Sequence, residues 1–206
     1  MKIKYYALWL SLICIIVFVL QLMFSGFTDL FVLNSAHPFE IWRFVSAIFL
    51  HASLAHIISN LFALALFGTV LESVIGSRRF LWVFFVSGII ANIIAINFYP
   101  LSLGASGAIY GILGALIILR PMMTVWVYSL PMPMFIAGIV WVGAGVFGLF
   151  APSNVGDIAH LSGIAIGFIF GMFYRARINS YADNIKRNRI IIDENSMRRW
   201  EDVYLR

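Results

Sequence analysis

Four polar residues stand in stretches that are otherwise apolar: His56 and Asn60 in "HASLAHIISN", Ser106 in "GASGAIYG" and His160 in "DIAHLSGIAIG". A serine hydroxyl is a weak nucleophile until a base removes its proton during attack, and His160 is the candidate for that base. His56 and Asn60 are four residues apart and so share a helix face, from which both could donate to a developing oxyanion. Together the four would supply the working parts of a hydrolase.

They can act together only if the elements carrying them converge. The chain of 206 residues is 62% hydrophobic and 11% charged, against about 25% charged in soluble domains, which places it in a bilayer. A helix crosses the hydrocarbon core with about 20 mainly apolar residues. Six candidate spans run at about 7–24, 54–71, 80–98, 105–119, 133–150 and 158–174. The expected fold is therefore an all-α polytopic membrane protein, one six-helix bundle over residues 1–174, with a charged cytosolic tail at 175–206.

The first span follows Lys2 and Lys4 like a signal peptide, but 18 apolar residues are long for an h-region and "QLMFSGF" has no A-x-A site, so it is expected to be retained. The first outer loop, residues 25–53, is too long for a turn and too aromatic for a solvated linker, which predicts an interfacial position. Of the 14 basic residues, 13 fall on one side of the six spans, Arg43 being the exception. The positive-inside rule then puts both termini in the cytosol of a cell membrane and turns the polar cluster toward the outer face. The same placement accounts for the net charge of +5 without a nucleic-acid partner.

Depth can be counted back from the cytosolic ends. Ser106 lies 14 residues before Arg120 and His160 lies 15 before Arg175, or about 21 and 22 Å at about 1.5 Å per residue. His56 and Asn60, 16 and 12 residues before Glu72, bracket that level. Polar groups at one depth below the outer surface require a wet cavity open outward. Ser106 also stands near the start of its span, where unpaired backbone N–H groups and the helix dipole favour negative charge. Tyr110, four residues on, shares its face.

Other readings compete. Each polar residue alone could be interhelical hydrogen-bond glue. His51, His56 and His160 could ligate a metal, although neither a cysteine nor a carboxylate accompanies them and H-E-x-x-H is absent. A channel or transporter would need polar groups through the whole bilayer. Asp157, one turn before His160, leaves a triad open, though it lies nearer the outer surface. Cys14 is the single cysteine, so no intrachain disulfide forms. Gly107 and Gly111 form a G-x-x-x-G and Gly163, Gly167 and Gly171 a double one, so the fourth and sixth spans should pack closely enough for Ser106 to meet His160.

From about Phe39 to Gly171 the chain resembles the rhomboid intramembrane serine proteases. The likeness rests on Trp42-Arg43, "HASLAHIISN", "LESVIGSRR", the G-x-S-G at Gly104 to Gly107 and "AHLSGIAIG", in that order. The resemblance implies Ser106 as nucleophile and His160 as general base in a dyad without an acidic third member. It implies an oxyanion hole of His56, Asn60 and the Ser106 backbone amide, with Tyr110 stacked on His160, and no cofactor or metal. Single-pass or multi-pass membrane proteins would be the substrates, cut in or near a transmembrane segment and admitted past the fifth span. The alternative within this resemblance is a catalytically silent relative that binds transmembrane helices.

Overall fold

Long apolar runs without internal proline fold into helices, because a helix satisfies every backbone group where no water is present. The computed structural model describes residues 3–127, 129–150, 156–189 and 194–204. In chain order these form α1 (Tyr6–Met23), α2 (Phe27–Phe31), β1 (Leu33–Asn34), α3 (Arg43–Ser46) with a 3-10 turn at Ala47–Phe49, α4 (Leu54–Ala63) and α5 (Thr69–Ile75). There follow α6 (Ser77–Ala95), β2 (Leu101–Ser102), α7 (Ser106–Leu119), β3 (Thr124–Val127), β4 (Leu130–Pro133), α8 (Met134–Gly148), α9 (Asp157–Arg189) and α10 (Glu194–Tyr204). A π turn at Leu64–Gly68 joins α4 to α5, making one helix of 22 residues, Leu54–Ile75.

Among the described residues, four helices are long and apolar enough to cross a membrane: α1, Leu54–Ile75, α6 and the Asp157–Arg177 part of α9. The protein is a mostly helical membrane protein. α7 and α8 are also apolar but shorter, at 14 and 15 residues. On α1 only Ala7, Leu10, Ser11 and Cys14 are buried, while Trp9 (60% exposed) and Leu22 (73%) face outward, an arrangement suited to lipid.

Several expectations need correction. Two small antiparallel ribbons accompany the helices: β1 pairs with β2, Leu33 opposite Ser102, and β3 with β4, Val125 opposite Met132. The third span begins at Ser77 and ends at Ala95 rather than covering 80–98, because Gly76, with φ +87, makes the corner immediately before it. The fifth ends at Gly148. The helix that carries the expected sixth span continues past it to Arg189, since no Gly or Pro follows Gly171 within it and its Arg, Lys and Ala are good helix formers. The chain forms two compact units, Met1–Met172 and Phe173–Arg206. In the second, Arg177 lies 4.9 Å over the Phe173 ring, and Val203 and Tyr204 are exposed on α10.

In the first unit α7 is the central post, with nine of its 14 residues buried. A Cβ on Gly163 or Gly167 would overlap the carbonyl oxygen of Gly107 or Gly111, and one on Gly171 would lie 2.7 Å from the Ile118 Cβ and 3.1 Å from Ala115 O. Helices α7 and α9 thus meet backbone to backbone. Gly107 and Gly111 open room on a different side: a Cβ on Gly107 would be 2.8 Å from the Ala91 Cβ, and one on Gly111 would overlap Ser87, both on α6.

One end of the bundle is tied by Glu72, which is fully buried. Its Oε1 accepts from the Tyr6 N–H at 3.1 Å and the Ser77 hydroxyl at 2.6 Å, and its Oε2 from the Ala7 N–H at 3.1 Å. A carboxylate here satisfies N–H groups that α1 leaves open at its N-terminus and complements its dipole. The first loop is organised by Arg43, 7% exposed, whose Nη1 donates to the carbonyls of Asp29 and Val32 at 2.7 Å each and whose Nε donates to Glu40.

Candidate active site

Each polar residue is delivered by a helix beginning. Ser53 ends the first loop, and its hydroxyl accepts from the His56 N–H at 3.2 Å, which caps α4 and sets His56 in its first turn with Asn60 one turn further. α7 begins at Ser106 itself, after Ala105, which brings no side-chain cap. The first N–H groups of this helix therefore lack intrahelical acceptors and carry the positive end of its dipole. α9 begins at Asp157, an acidic residue in the first turn, as the dipole favours. The Tyr99 hydroxyl accepts from the Ile158 N–H at 3.2 Å, and His160 follows in the same turn.

The Ser106 Oγ lies 2.8 Å from the His160 Nε2, a normal distance for a hydroxyl donating to a ring nitrogen. The Tyr110 ring stacks on the His160 imidazole, with centroids 4.2 Å apart and planes 10° from parallel. The imidazole is thereby held between an aromatic face and the serine.

Across from the pair, the His56 ring and the Asn60 amide stand beside Gly104. A Cβ there would be 2.8 Å from the His56 Cε1 and Nε2 and 3.8 Å from the Asn60 Nδ2. Gly104 has φ +120, a conformation that glycine adopts without strain, so a side chain is excluded there twice over. Its N–H donates to Ala47 O at 2.9 Å, tying the approach to Ser106 back to the first loop. The Ala52 N–H donates to the His56 Nδ1 at 3.4 Å. The Asn60 Nδ2 is buried with no hydrogen-bond partner among the described residues.

These groups line a cavity of about 870 Å³, with Ser106, His160, His56, Asn60 and Tyr110 on its walls and Phe67 and Trp141 on another side. The rings of Phe67, in the π turn, and Trp141, on α8, meet edge to face at 6.0 Å, an aromatic pair in the cavity wall. Among the described residues no group of three His, Cys, Asp or Glu side chains is placed to hold a metal ion. His51 meets His56 edge to face at 5.1 Å, whereas His160 turns its Nε2 to Ser106. Burial, and secondarily the neighbouring His56, push the His51 imidazole down to about 4, which keeps it neutral. The Asp157 carboxylate lies against Gly148 of α8, where a Cβ would overlap it.

Tyr99, Trp141 and Ser53 escaped the sequence reading. A serine three residues before a histidine that opens an apolar run is a readable capping signal for Ser53, but Tyr99 caps a helix 59 residues away and leaves no local signature.

The family model for the Rhomboid domain matches residues 38–177. The chain is 28% identical over 170 residues to the rhomboid protease GlpG of Haemophilus influenzae, covering 79% of this chain and 86% of that protein. It is 36% identical over 131 residues to the rhomboid protease GluP of Bacillus subtilis, covering 63% of this chain but only a quarter (25%) of GluP. To the RHOMBOID-like protein 1 of Arabidopsis thaliana it is 29% identical over 143 residues, 68% of this chain and 36% of that protein.

Proposed function

The chain belongs to the rhomboid family, and from that premise we propose that it is an active intramembrane serine endopeptidase working through a Ser106–His160 dyad. The observation that carries this reading is the 2.8 Å contact between Ser106 Oγ and His160 Nε2 at the wall of the cavity.

Ser106 Oγ attacks the scissile carbonyl carbon while His160 Nε2 takes the hydroxyl proton, and the tetrahedral oxyanion is held by the Ser106 N–H, the Asn60 Nδ2 and His56. The Asn60 Nδ2, without a partner among the described residues, offers a donor for that purpose. The imidazolium returns its proton to the leaving amine, the C–N bond breaks, and an acyl-serine remains. Water then repeats the attack, with His160 as base, and restores the serine. Tyr110 fixes the imidazole plane, and Gly104 and Gly107 leave room for the neighbours of Ser106. Asp157 complements the start of α9 rather than completing a triad.

The substrates are membrane proteins cut in or near their transmembrane segments, with access past α8. Only four of the 15 α8 residues are buried, and Trp141 and Phe67 stand between it and the cavity. Both termini lie in the cytosol of the cell membrane, and α7 and α8 complete six spans. The exposed Phe39 (92%), Ile41 (74%) and Trp42 (52%) of the first loop suit the outer interface.

The test is labelling of the reconstituted protein with a fluorophosphonate. Wild type should label and both Ser106→Ala and His160→Ala should not. Absence of labelling in folded wild type, repeated with a second electrophile, would instead favour a silent relative that binds transmembrane helices.

A further inference from the structure

Ser106 and His160 each stand in the first turn of a helix, and helix ends fray. The glycine contacts that space α9 from α7 begin at Gly163, three residues past His160, so the turn that carries the imidazole needs a further hold. A helix start also leaves N–H groups without intrahelical acceptors, and Gly156, just before α9, brings no side chain to cap them. An acceptor reaches this turn from the far end of α6. The Tyr99 hydroxyl takes the Ile158 N–H at 3.2 Å, two residues before His160.

Tyr99 is itself firmly placed. Its N–H donates to Ala95 O at 2.9 Å, in the turn that ends α6, and its ring packs on Ala91 and Ala95 of α6 and on Ala159 of α9. The same layer of small residues underlies the serine. A Cβ on Gly107, the residue after Ser106, would be 2.8 Å from the Ala91 Cβ and 3.8 Å from Ala159 O. Alanine methyls have no rotamers with which to absorb a displacement. A shift in the first turn of α9 therefore passes directly into the distance between His160 and Ser106, which is 2.8 Å from Nε2 to Oγ.

We infer that Tyr99 is a positioning residue for the general base: its hydroxyl pins the first turn of α9 and so holds the His160 imidazole against Ser106. The inference rests on the reading of Ser106 and His160 as a dyad. Tyr99 also lines the cavity, so contact with substrate is the competing role.

The test is Tyr99→Phe, which removes the hydroxyl and keeps the ring on its alanines. In proteoliposomes, kcat on a transmembrane substrate should fall roughly 10-fold, the scale of one lost hydrogen bond together with a slight misalignment. KM should stay within about 2-fold of wild type. In the nitrogen NMR spectrum of histidine-labelled protein, the His160 Nε2 signal should move toward its position in Ser106→Ala, where the bond to the serine is gone, while the His37 signals stay in place. A raised KM at unchanged kcat makes Tyr99 a substrate contact and overturns the positioning role. A His160 signal that does not move overturns it as well, as does a lower unfolding temperature with kcat and the signal unchanged, which leaves Tyr99 a structural cap. Wild type that neither cleaves nor labels with a fluorophosphonate sinks the protease reading instead, and the His160 signal still reports whether Tyr99 holds the imidazole.

Discussion

Two polar clusters, one fully buried and one half-buried, lie at opposite ends of the same bundle, and they differ in how they are satisfied. Around Glu72 every carboxylate oxygen has a donor, and the residue is 0% exposed. Around Ser106 and His160 the hydrogen bond between them is made, yet the Asn60 Nδ2 has no partner among the described residues and about 870 Å³ of space adjoins it. A buried group left unpaired costs about 1–3 kcal/mol, so the second arrangement is poor as structure. A closed network holds helices together; an open one facing a cavity is disposed to receive a reacting group.

The comparison can be broken most decisively at the dyad. Ser106→Ala and His160→Ala should each lower cleavage of a transmembrane substrate in proteoliposomes on the order of 10⁴-fold or more, with unfolding temperature nearly unchanged. Cleavage that survives Ser106→Ala places the nucleophile elsewhere. Glu72→Ala should show the opposite signature, a stability loss of about 3 kcal/mol from stranded donors, while the folded fraction keeps its kcat. If Glu72→Ala instead lowers kcat at full stability, the two clusters are not separable.

Smaller effects sharpen the contrast. Asn60→Ala should lower kcat on the order of 10²-fold without loss of thermal stability, because its Nδ2 makes no hydrogen bond to the described residues. A drop in unfolding temperature with unchanged kcat would make Asn60 structural. Asp157→Ala should leave cleavage within a few-fold of wild type, measured in the same assay; a loss as large as that of His160→Ala would restore the triad.

The helical bundle and the convergence of its polar residues were legible because both follow from local rules. Apolar length marks spans, and counting at a fixed rise brings Ser106 and His160 to one level, where the two side chains meet at 2.8 Å. What escaped depends on distant partners. Glu72 reads in sequence only as the lower edge of a span, since the N–H groups it accepts from are 65 and 66 residues away. Arg43 reads as the odd cation on the wrong side, whereas its partners at Asp29 and Val32 lie 14 and 11 residues back along a loop with no periodicity. The β3–β4 ribbon was hidden because its apolar residues merge with those of the neighbouring spans, and short apolar runs do not distinguish strand from helix.

The glycine contacts between α7 and α9 have a mechanical consequence. Side chains between helices act as compliant spacers that change rotamer when the surroundings shift, but Gly163 and Gly167 rest directly on the peptide groups of Gly107 and Gly111. The separation of Ser106 from His160 is therefore gauged by rigid peptide planes. Changes in bilayer thickness or lateral pressure would be taken up by the more loosely held α8, and Ser106 and His160 would keep their alignment as the lipid around them changes.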